Sequence, residues 1–229
     1  MPMESLSDYE QACKHELQGE FSQALALYQK CLAHQEYDQG DILFKCGWCA
    51  EQDKSVGTPT NADALAYYQK ASEIARVPAT KLNSLFRAGW LLMQDKQWLE
   101  AGQCLKRAME CAEQSDLKTS MYEHTLYWYA VCLETQGHFL EAIQWYRLAQ
   151  EIAPELKLES CVREICCLDQ IGLYQEALNV CLTFASMPSE GCDEKRYNEL
   201  FSLVQHKKNI LKECLSQLFS PSYKRKVQD

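Results

Sequence analysis

The sequence predicts an all-α fold built from pairs of short antiparallel helices. Between Leu126 and Pro154, apolar side chains recur at spacings of three and four residues in two runs, which places each run on one face of a helix. Gly137 separates the runs and Pro154 ends the second, because proline cannot continue a helix. The composition agrees, since the 229 residues include only nine Gly and six Pro. One such pair cannot bury its apolar face alone, so further pairs are expected.

Small and aromatic residues at particular positions of this central pair identify it more closely. The small residues let two helices approach, and the aromatic residues fill the space beside them. The pattern resembles the tetratricopeptide repeat. That resemblance implies a right-handed superhelix of about five helical hairpins with a C-terminal capping helix, in which the first helix of each hairpin (helix A) lines a concave groove. The residues that carry the resemblance are Ala130, Gly137, Phe139, Ala142, Tyr146, Ala149 and Pro154.

Four further stretches repeat this spacing and define the predicted domain organisation. We expect a tetratricopeptide-like array over residues 1–192, with units near 5–38, 40–78, 82–115, 123–156 and 158–190. Residues 193–219 should form the capping helix, with an interruption near His206, and 220–229 a short basic tail. The first helix of the first unit is the most polar, as the end of a stack requires. Residues 53–60, which include Gly57 and Pro59, are expected to form a surface loop.

Composition and charge limit the compartments and partners. The chain has no run of 18 apolar residues and its start lacks the features of a signal peptide, so we expect a soluble protein without membrane insertion. Its 13 cysteines lie mostly at apolar helix positions, where the thiol acts as a small hydrophobe, which favours the cytoplasm or the nucleus. The net charge of −9 argues against nucleic acid as a partner.

Cys46 and Cys49 form the one motif that suggests chemistry. A redox pair needs a thiolate stabilised at a helix N-terminus, whereas this pair lies inside a predicted helix A. A zinc site would need two further ligands, and Cys13 and His15 do not project in one direction from a helix. A redox or zinc-binding protein therefore stays as the alternative function. Catalytic and phosphate-binding motifs are otherwise missing, so the sequence predicts a protein that is not an enzyme and binds no cofactor or metal.

Aromatic and basic residues occupy equivalent positions in successive A helices. Aromatic side chains bury large areas with little loss of entropy, and Lys or Arg beside them can bind a carboxylate. The sequence thus predicts an adaptor or scaffold whose groove binds a peptide or amphipathic helix with apolar and acidic residues. The alternative for each aromatic residue is packing against a neighbouring second helix (helix B). The predicted groove residues are Tyr9, Phe44, Lys45, Trp48, Phe86, Arg87, Trp90, Tyr127, Trp128 and Arg163.

Overall fold

The computed structural model describes residues 7–34, 36–53, 61–187 and 193–218. Within these ranges the regular structure is entirely helical, which confirms the predicted fold class. The helices are α1 (Asp8–Leu17), α2 (Phe21–Cys31), α3 (Gln39–Gln52), α4 (Asn61–Ile74), α5 (Pro78–Gln94), α6 (Trp98–Gln114), α7 (Ser120–Thr135), α8 (Phe139–Ile152), α9 (Lys157–Gln170), α10 (Tyr174–Ala185) and α11 (Glu194–Leu218), with a short 3-10 helix over Pro154–Leu156.

Four of the hairpins turn through a residue in the left-handed region of backbone conformation. Gly19, Gly137 and Gly172 have φ angles of 76°, 82° and 77°, and Lys96 takes the same role in the third hairpin with φ 60°. In each turn the next residue donates its N–H to the carbonyl five residues earlier, which closes the end of helix A. Glycine is favoured there because a side chain strains this conformation. Helix B begins two residues after the turn residue, so each pair becomes antiparallel.

Contacts among the described residues divide the chain into two compact units, Met1–Thr125 and Leu126–Asp229. In the first unit, α1 to α6 pack successively, and the core forms where helix B side chains meet neighbouring A helices. Tyr28 and Tyr68 are wholly buried at equivalent positions of α2 and α4. Gly47 faces Tyr68 so closely that an added Cβ would lie 2.8 Å from the ring. The small residue therefore makes room for the aromatic one, which is the relation that the sequence predicts for the central pair.

The second unit contains the central hairpin, α9, α10 and α11. Ala142, Tyr146 and Ala149 of α8 are wholly buried in its core. Helix α11 packs against α9 and α10 and buries Leu200 and Val204, so it caps this unit as expected. It runs without interruption from Glu194 to Leu218, so the predicted break near His206 is wrong. The apolar period of the helix is continuous there, and nothing forces the backbone to open.

One buried charge departs from the repeat pattern in α9. Glu164 stands where the central pair has Tyr129, yet it is only 3% exposed. Its two carboxylate oxygens accept hydrogen bonds from Arg147 Nε at 2.6 Å and Gln150 Nε2 at 2.7 Å, both on α8. Because a buried carboxylate is tolerated only when paired and hydrogen-bonded, these two partners explain how α9 keeps its packing.

The two ends of the predicted array are described only in part. Helix α1 starts with a capping box between Ser7 and Glu10, and Ala12 is its one buried residue. Residues 54–60 of the predicted surface loop and the whole of the predicted basic tail at 220–229 lie outside the described residues. In the described ranges, none of the helices combines the length and apolar character needed to cross a membrane.

Candidate interaction surface

A group of partly exposed aromatic residues in the first unit lies on α3 and α5. The guanidinium of Arg87 on α5 stacks over the ring of Trp48 on α3, 4.6 Å from its centre. Phe86 and Trp90 flank Arg87 on the same helix and are partly exposed. An arginine over a tryptophan face is a favourable cation–π arrangement, and it fixes both side chains against each other. The structure thus brings together Trp48 and Arg87 from different hairpins.

Two other predicted groove residues of the first unit each contact a tyrosine of a B helix. The ring of Phe44 lies 5.6 Å from that of Tyr68 on α4, and both belong to one core cluster. Tyr9 contacts Tyr28 of α2 edge-on and stacks on Tyr37 at 5.4 Å. Both residues therefore make the contact with helix B that the alternative role, packing between helices, predicts.

The two basic residues predicted for the first unit are already paired inside the chain. Lys45 Nζ donates to both carboxylate oxygens of Glu16 at 3.1 and 3.2 Å, and Arg87 Nη1 donates to Glu51 Oε1 at 3.2 Å. Each pair joins an A helix to the preceding A helix, because Glu16 lies on α1 and Glu51 on α3. Both cations are therefore compensated by a carboxylate of the chain itself.

A buried tyrosine holds each of these glutamates from the other side. The hydroxyl of Tyr28 donates to Glu16 at 2.5 Å, and that of Tyr68 donates to Glu51 at 2.7 Å. Burial, followed by the neighbouring groups, raises the pKa of both phenols, so they remain protonated donors. We call this set of a helix B tyrosine, a helix A glutamate and a base of the next helix A a clasp.

A third clasp lies in the second unit. Tyr146 of α8 donates to Glu134 of α7 at 2.5 Å, and Arg163 of α9 donates to both oxygens of Glu134 at 3.3 Å. The predicted groove residue Tyr127 is buried and packs against Tyr146, with ring centres 5.9 Å apart. Trp128 contacts Tyr127 edge-on at 5.0 Å and stays partly exposed. Tyr127 is thus a core residue, whereas Arg163 is a member of a clasp.

Sequence reasoning missed the glutamates and tyrosines of the clasps, although a signal was present. Glutamate recurs four residues after the small residue of helix A, at Glu16, Glu51 and Glu134. In the third hairpin, Met93 stands at the glutamate position of helix A and Leu105 at the tyrosine position of helix B. Trp128 stands at the basic position of the next helix A. All three members of the set are therefore replaced together, which marks them as one interacting group. In the sequence, only the aromatic and basic residues were interpreted as functional, because such side chains are typical of a binding surface.

Cys46 and Cys49 lie in the core of the first unit, both wholly buried. Burial raises the pKa of each thiol to about 12, so both are protonated at neutral pH. This environment is the opposite of one that activates a redox cysteine. In the part of the chain that the structure describes, no three His, Cys, Asp or Glu side chains are grouped so as to hold a metal ion. The structure therefore favours a packing role for the pair.

Comparison with known proteins shows which solved structures share this fold. A scan against protein-family models finds no match, and a search of curated proteins finds none. Among solved structures, YrrB, described as a TPR protein with an unusual peptide-binding site, matches with a TM-score of 0.65 at 16% identity over 88% of this chain and 90% of that one. MamA from AMB-1 matches with 0.61 at 18% identity over 82% and 93%.

A third solved structure has the same architecture. A putative kinesin light chain from Podosopora anserina, described as having nearly identical TPR-like repeats, matches with a TM-score of 0.56 at 15% identity over 80% of this chain and 94% of that one. These likenesses cover most of both chains in every case. The chain therefore has the tetratricopeptide-repeat fold.

Proposed function

We propose that this chain is a non-catalytic interaction module, an adaptor or scaffold, that binds a peptide or amphipathic helix on the A helices of its first unit. The observation that carries the proposal is the partly exposed group of Trp48, Phe86, Arg87 and Trp90 on α3 and α5. Large rigid aromatic residues beside an arginine are the side chains most often responsible for binding energy at protein interfaces. A cytoplasmic or nuclear location belongs to the same proposal, because buried thiols such as Cys46 suit a reducing compartment.

The class of function is supported by the fold. The solved structures with this fold include YrrB, whose description refers to a peptide-binding site in that protein. A stack of hairpins presents the same face of each A helix side by side, so one ligand can contact several hairpins in turn. In this chain α3 and α5 also contact each other directly. Aromatic anchors on both helices can therefore act on a single segment of partner.

Acidic residues in the partner are the finer part of the proposal. Arg87 has five N–H donors, of which Nη1 binds Glu51, so donors remain for a carboxylate of a ligand. Lys45 has three donors and directs two hydrogen bonds to Glu16. An approaching acidic side chain must share these cations with the two glutamates. We expect Arg87 to contribute more than Lys45, because a planar guanidinium can bind two carboxylates at once.

A random dodecapeptide library displayed on phage, selected on the whole chain, provides the probe. Selected peptides should carry aromatic or aliphatic residues beside Asp or Glu, and their affinity is measured by calorimetry with synthetic peptides. Arg87→Glu should weaken binding by about 2 kcal/mol or more, roughly 30-fold, because a charge-assisted contact becomes repulsive. Glu51→Gln is the matched variant, since it removes the competing carboxylate while leaving Arg87 in place, and it should strengthen binding of acidic peptides.

Circular dichroism and thermal melting show whether each variant is folded. A peptide in which Gln replaces every Asp and Glu should lose the response to Glu51→Gln but keep its dependence on Trp48. If Arg87→Glu combined with Lys45→Glu leaves the affinity of every selected peptide unchanged, this face is not the binding surface and the proposal fails.

A further inference from the structure

The guanidinium of Arg87 is held by two partners within the first unit. Its Cζ atom lies 4.6 Å from the centre of the Trp48 ring, and its Nη1 donates to Glu51 at 3.2 Å. Glu51 also accepts a hydrogen bond from the hydroxyl of Tyr68, and its side chain is only 10% exposed. Because these contacts already set the position of Arg87, its side chain loses little further freedom when a ligand binds.

These two partners leave part of the cation uncovered. A guanidinium is a flat group whose donors point outward in its plane, so it has two faces and an edge of donors. Trp48 lies at one face, and Glu51 takes one donor at the edge. The side chain of Arg87 nevertheless stays 26% exposed. Of the guanidinium, the remaining donors and the face opposite Trp48 are thus left for a ligand.

The chemistry of this second face favours an aromatic ligand group. A guanidinium is more weakly hydrated than an ammonium group, and it stacks on aromatic rings. A ring that replaces water at this face attracts the cation through the negative charge of its own face. An aliphatic group of equal size removes the same water without that attraction, so the desolvation of the charge is not compensated. The contact with Trp48 is of the aromatic kind.

A neighbouring side chain adds apolar contact area beside Arg87. Trp90 follows Arg87 by three residues, which places both on the same side of α5, and Trp90 is partly exposed. Aromatic pairs are favourable when they meet edge-on or offset. An aromatic group placed on Arg87 is therefore within reach of Trp90 as well.

We propose that an aromatic side chain of the bound peptide stacks on the face of Arg87 opposite Trp48, so that the cation lies between two rings. This inference rests on the proposed function, namely that a peptide binds at Trp48 and Arg87. It names the class of the anchoring residue, which is Phe, Tyr or Trp rather than an aliphatic residue. An acidic residue of the same peptide still has the edge of the guanidinium, because a carboxylate binds in the plane of the donors.

The dodecapeptides selected on the whole chain test this inference as synthetic peptides. Those whose affinity depends on Arg87 should each contain Phe, Tyr or Trp. Cyclohexylalanine in place of that residue keeps the apolar volume but removes the π system. Pentafluorophenylalanine keeps a planar ring but reverses its charge distribution. In calorimetry, each replacement should weaken binding by about threefold or more, the scale on which cation–π contacts contribute.

A variant of the chain shows whether Arg87 is the partner of that ring. Arg87→Gln removes the charge but keeps a donor for Glu51, and in this variant both peptide replacements should change the affinity by less than about twofold. Arg87→Met serves the same purpose if Arg87→Gln does not fold, as judged by circular dichroism. Arg107→Met is the matched control, because Arg107 is an exposed arginine on α6 of the same unit. In this control both replacements should weaken binding as in the unaltered chain.

The other results separate this inference from the proposed function. Peptides that depend on Arg87 but contain no aromatic residue, or that bind equally well with cyclohexylalanine, overturn the inference and leave the proposed function standing. Equal losses in Arg87→Gln and in the unaltered chain also overturn it, because the ring then lies elsewhere. Affinities unchanged by Arg87→Glu with Lys45→Glu overturn both. If light scattering shows a dimer that Arg87→Glu dissociates, a second copy of the chain is the occupant and the peptide proposal is overturned.

Discussion

The hydroxyl of Tyr146 donates a 2.5 Å hydrogen bond to Glu134, whose carboxylate also receives Arg163 of the following hairpin. This carboxylate therefore joins three helices, α7, α8 and α9. The same arrangement recurs at Glu16 and Glu51 in the first unit. Because each clasp links a hairpin to its successor, it stabilises the register of neighbouring hairpins as well as the hairpin itself.

Removing the Tyr146 hydroxyl tests the clasp. Tyr146→Phe keeps the buried ring but leaves Glu134 without one donor, so we expect a loss of roughly 1.5–3 kcal/mol in the free energy of unfolding, the usual range for a hydrogen bond to a charged group. Urea unfolding followed by circular dichroism measures it. Tyr174→Phe is the control, because in the described residues the Tyr174 hydroxyl forms no hydrogen bond, and it should cost less than about 0.5 kcal/mol.

A double-mutant cycle shows whether the two groups act together. Tyr146→Phe and Glu134→Gln should show a coupling of at least about 0.5 kcal/mol, because the residues are in contact. Additive effects would mean that the hydroxyl and the carboxylate do not interact.

Ala142 tests the close approach of the helices in the central hairpin. It is wholly buried in α8, so Ala142→Trp should lower the free energy of unfolding by roughly 3 kcal/mol or more, because an overpacked crossing forces the helices apart. Thermal melting measures the effect. Leu140→Trp places the same ring two residues away at an exposed position of the same helix and should leave the melting temperature nearly unchanged. Equal melting temperatures for both variants would contradict the crossing.

Lys96 offers a route to a more stable chain. Its φ of 60° strains a side-chain-bearing residue, whereas Gly137 has φ 82° at the equivalent turn. Lys96→Gly should raise the free energy of unfolding by up to about 1 kcal/mol, and Gly137→Ala should lower it by a similar amount. An added Cβ at Gly137 meets nothing within 4 Å, so any loss there reports backbone strain alone. Chemical unfolding of both variants provides the measurement, and effects of the same sign would refute the explanation.

Two buried thiols make the free energy of unfolding vary with pH in the alkaline range. Burial raises the pKa of Cys46 and Cys49 from 9.0 to about 12, so above pH 9 the unfolded chain loses protons that the folded chain keeps. The free energy of unfolding is therefore unaffected by these thiols below pH 9 and falls from there towards pH 12, by up to about 1.4 kcal/mol per pH unit for each thiol.

Urea unfolding at pH 8 and at pH 10.5 measures this dependence. The Cys46→Ala, Cys49→Ala variant is less stable at pH 8, because it creates cavities, but its stability should fall less steeply with pH. An identical slope for both proteins would show that the two thiols ionise equally in the folded and unfolded chains.

The sequence by itself determined the local structure. The three-and-four spacing of apolar residues set the helices, and glycine at 19, 137 and 172 set the turns, because both depend on backbone and side-chain properties within a few residues. Small residues such as Ala142 indicated where the helices approach closely. The fifth helix A formed despite Glu164, whose two hydrogen-bond partners lie on the preceding helix and were not evident from the repeat pattern.

Only the tertiary structure decided what the charged and aromatic groove residues do. Lys45 and Glu16 are 29 residues apart and Arg87 and Glu51 are 36 apart, so their pairing depends on how one hairpin stacks on the next. Periodicity places a residue on a face of its helix but does not state which neighbour covers that face. Tyr127 is buried, for example, while its neighbour Trp128 stays partly exposed. Lys45 and Arg87 were predicted to bind acidic residues of a partner. They already pair with glutamates of the chain itself, because a partly buried charge is stabilised by an opposite charge beside it.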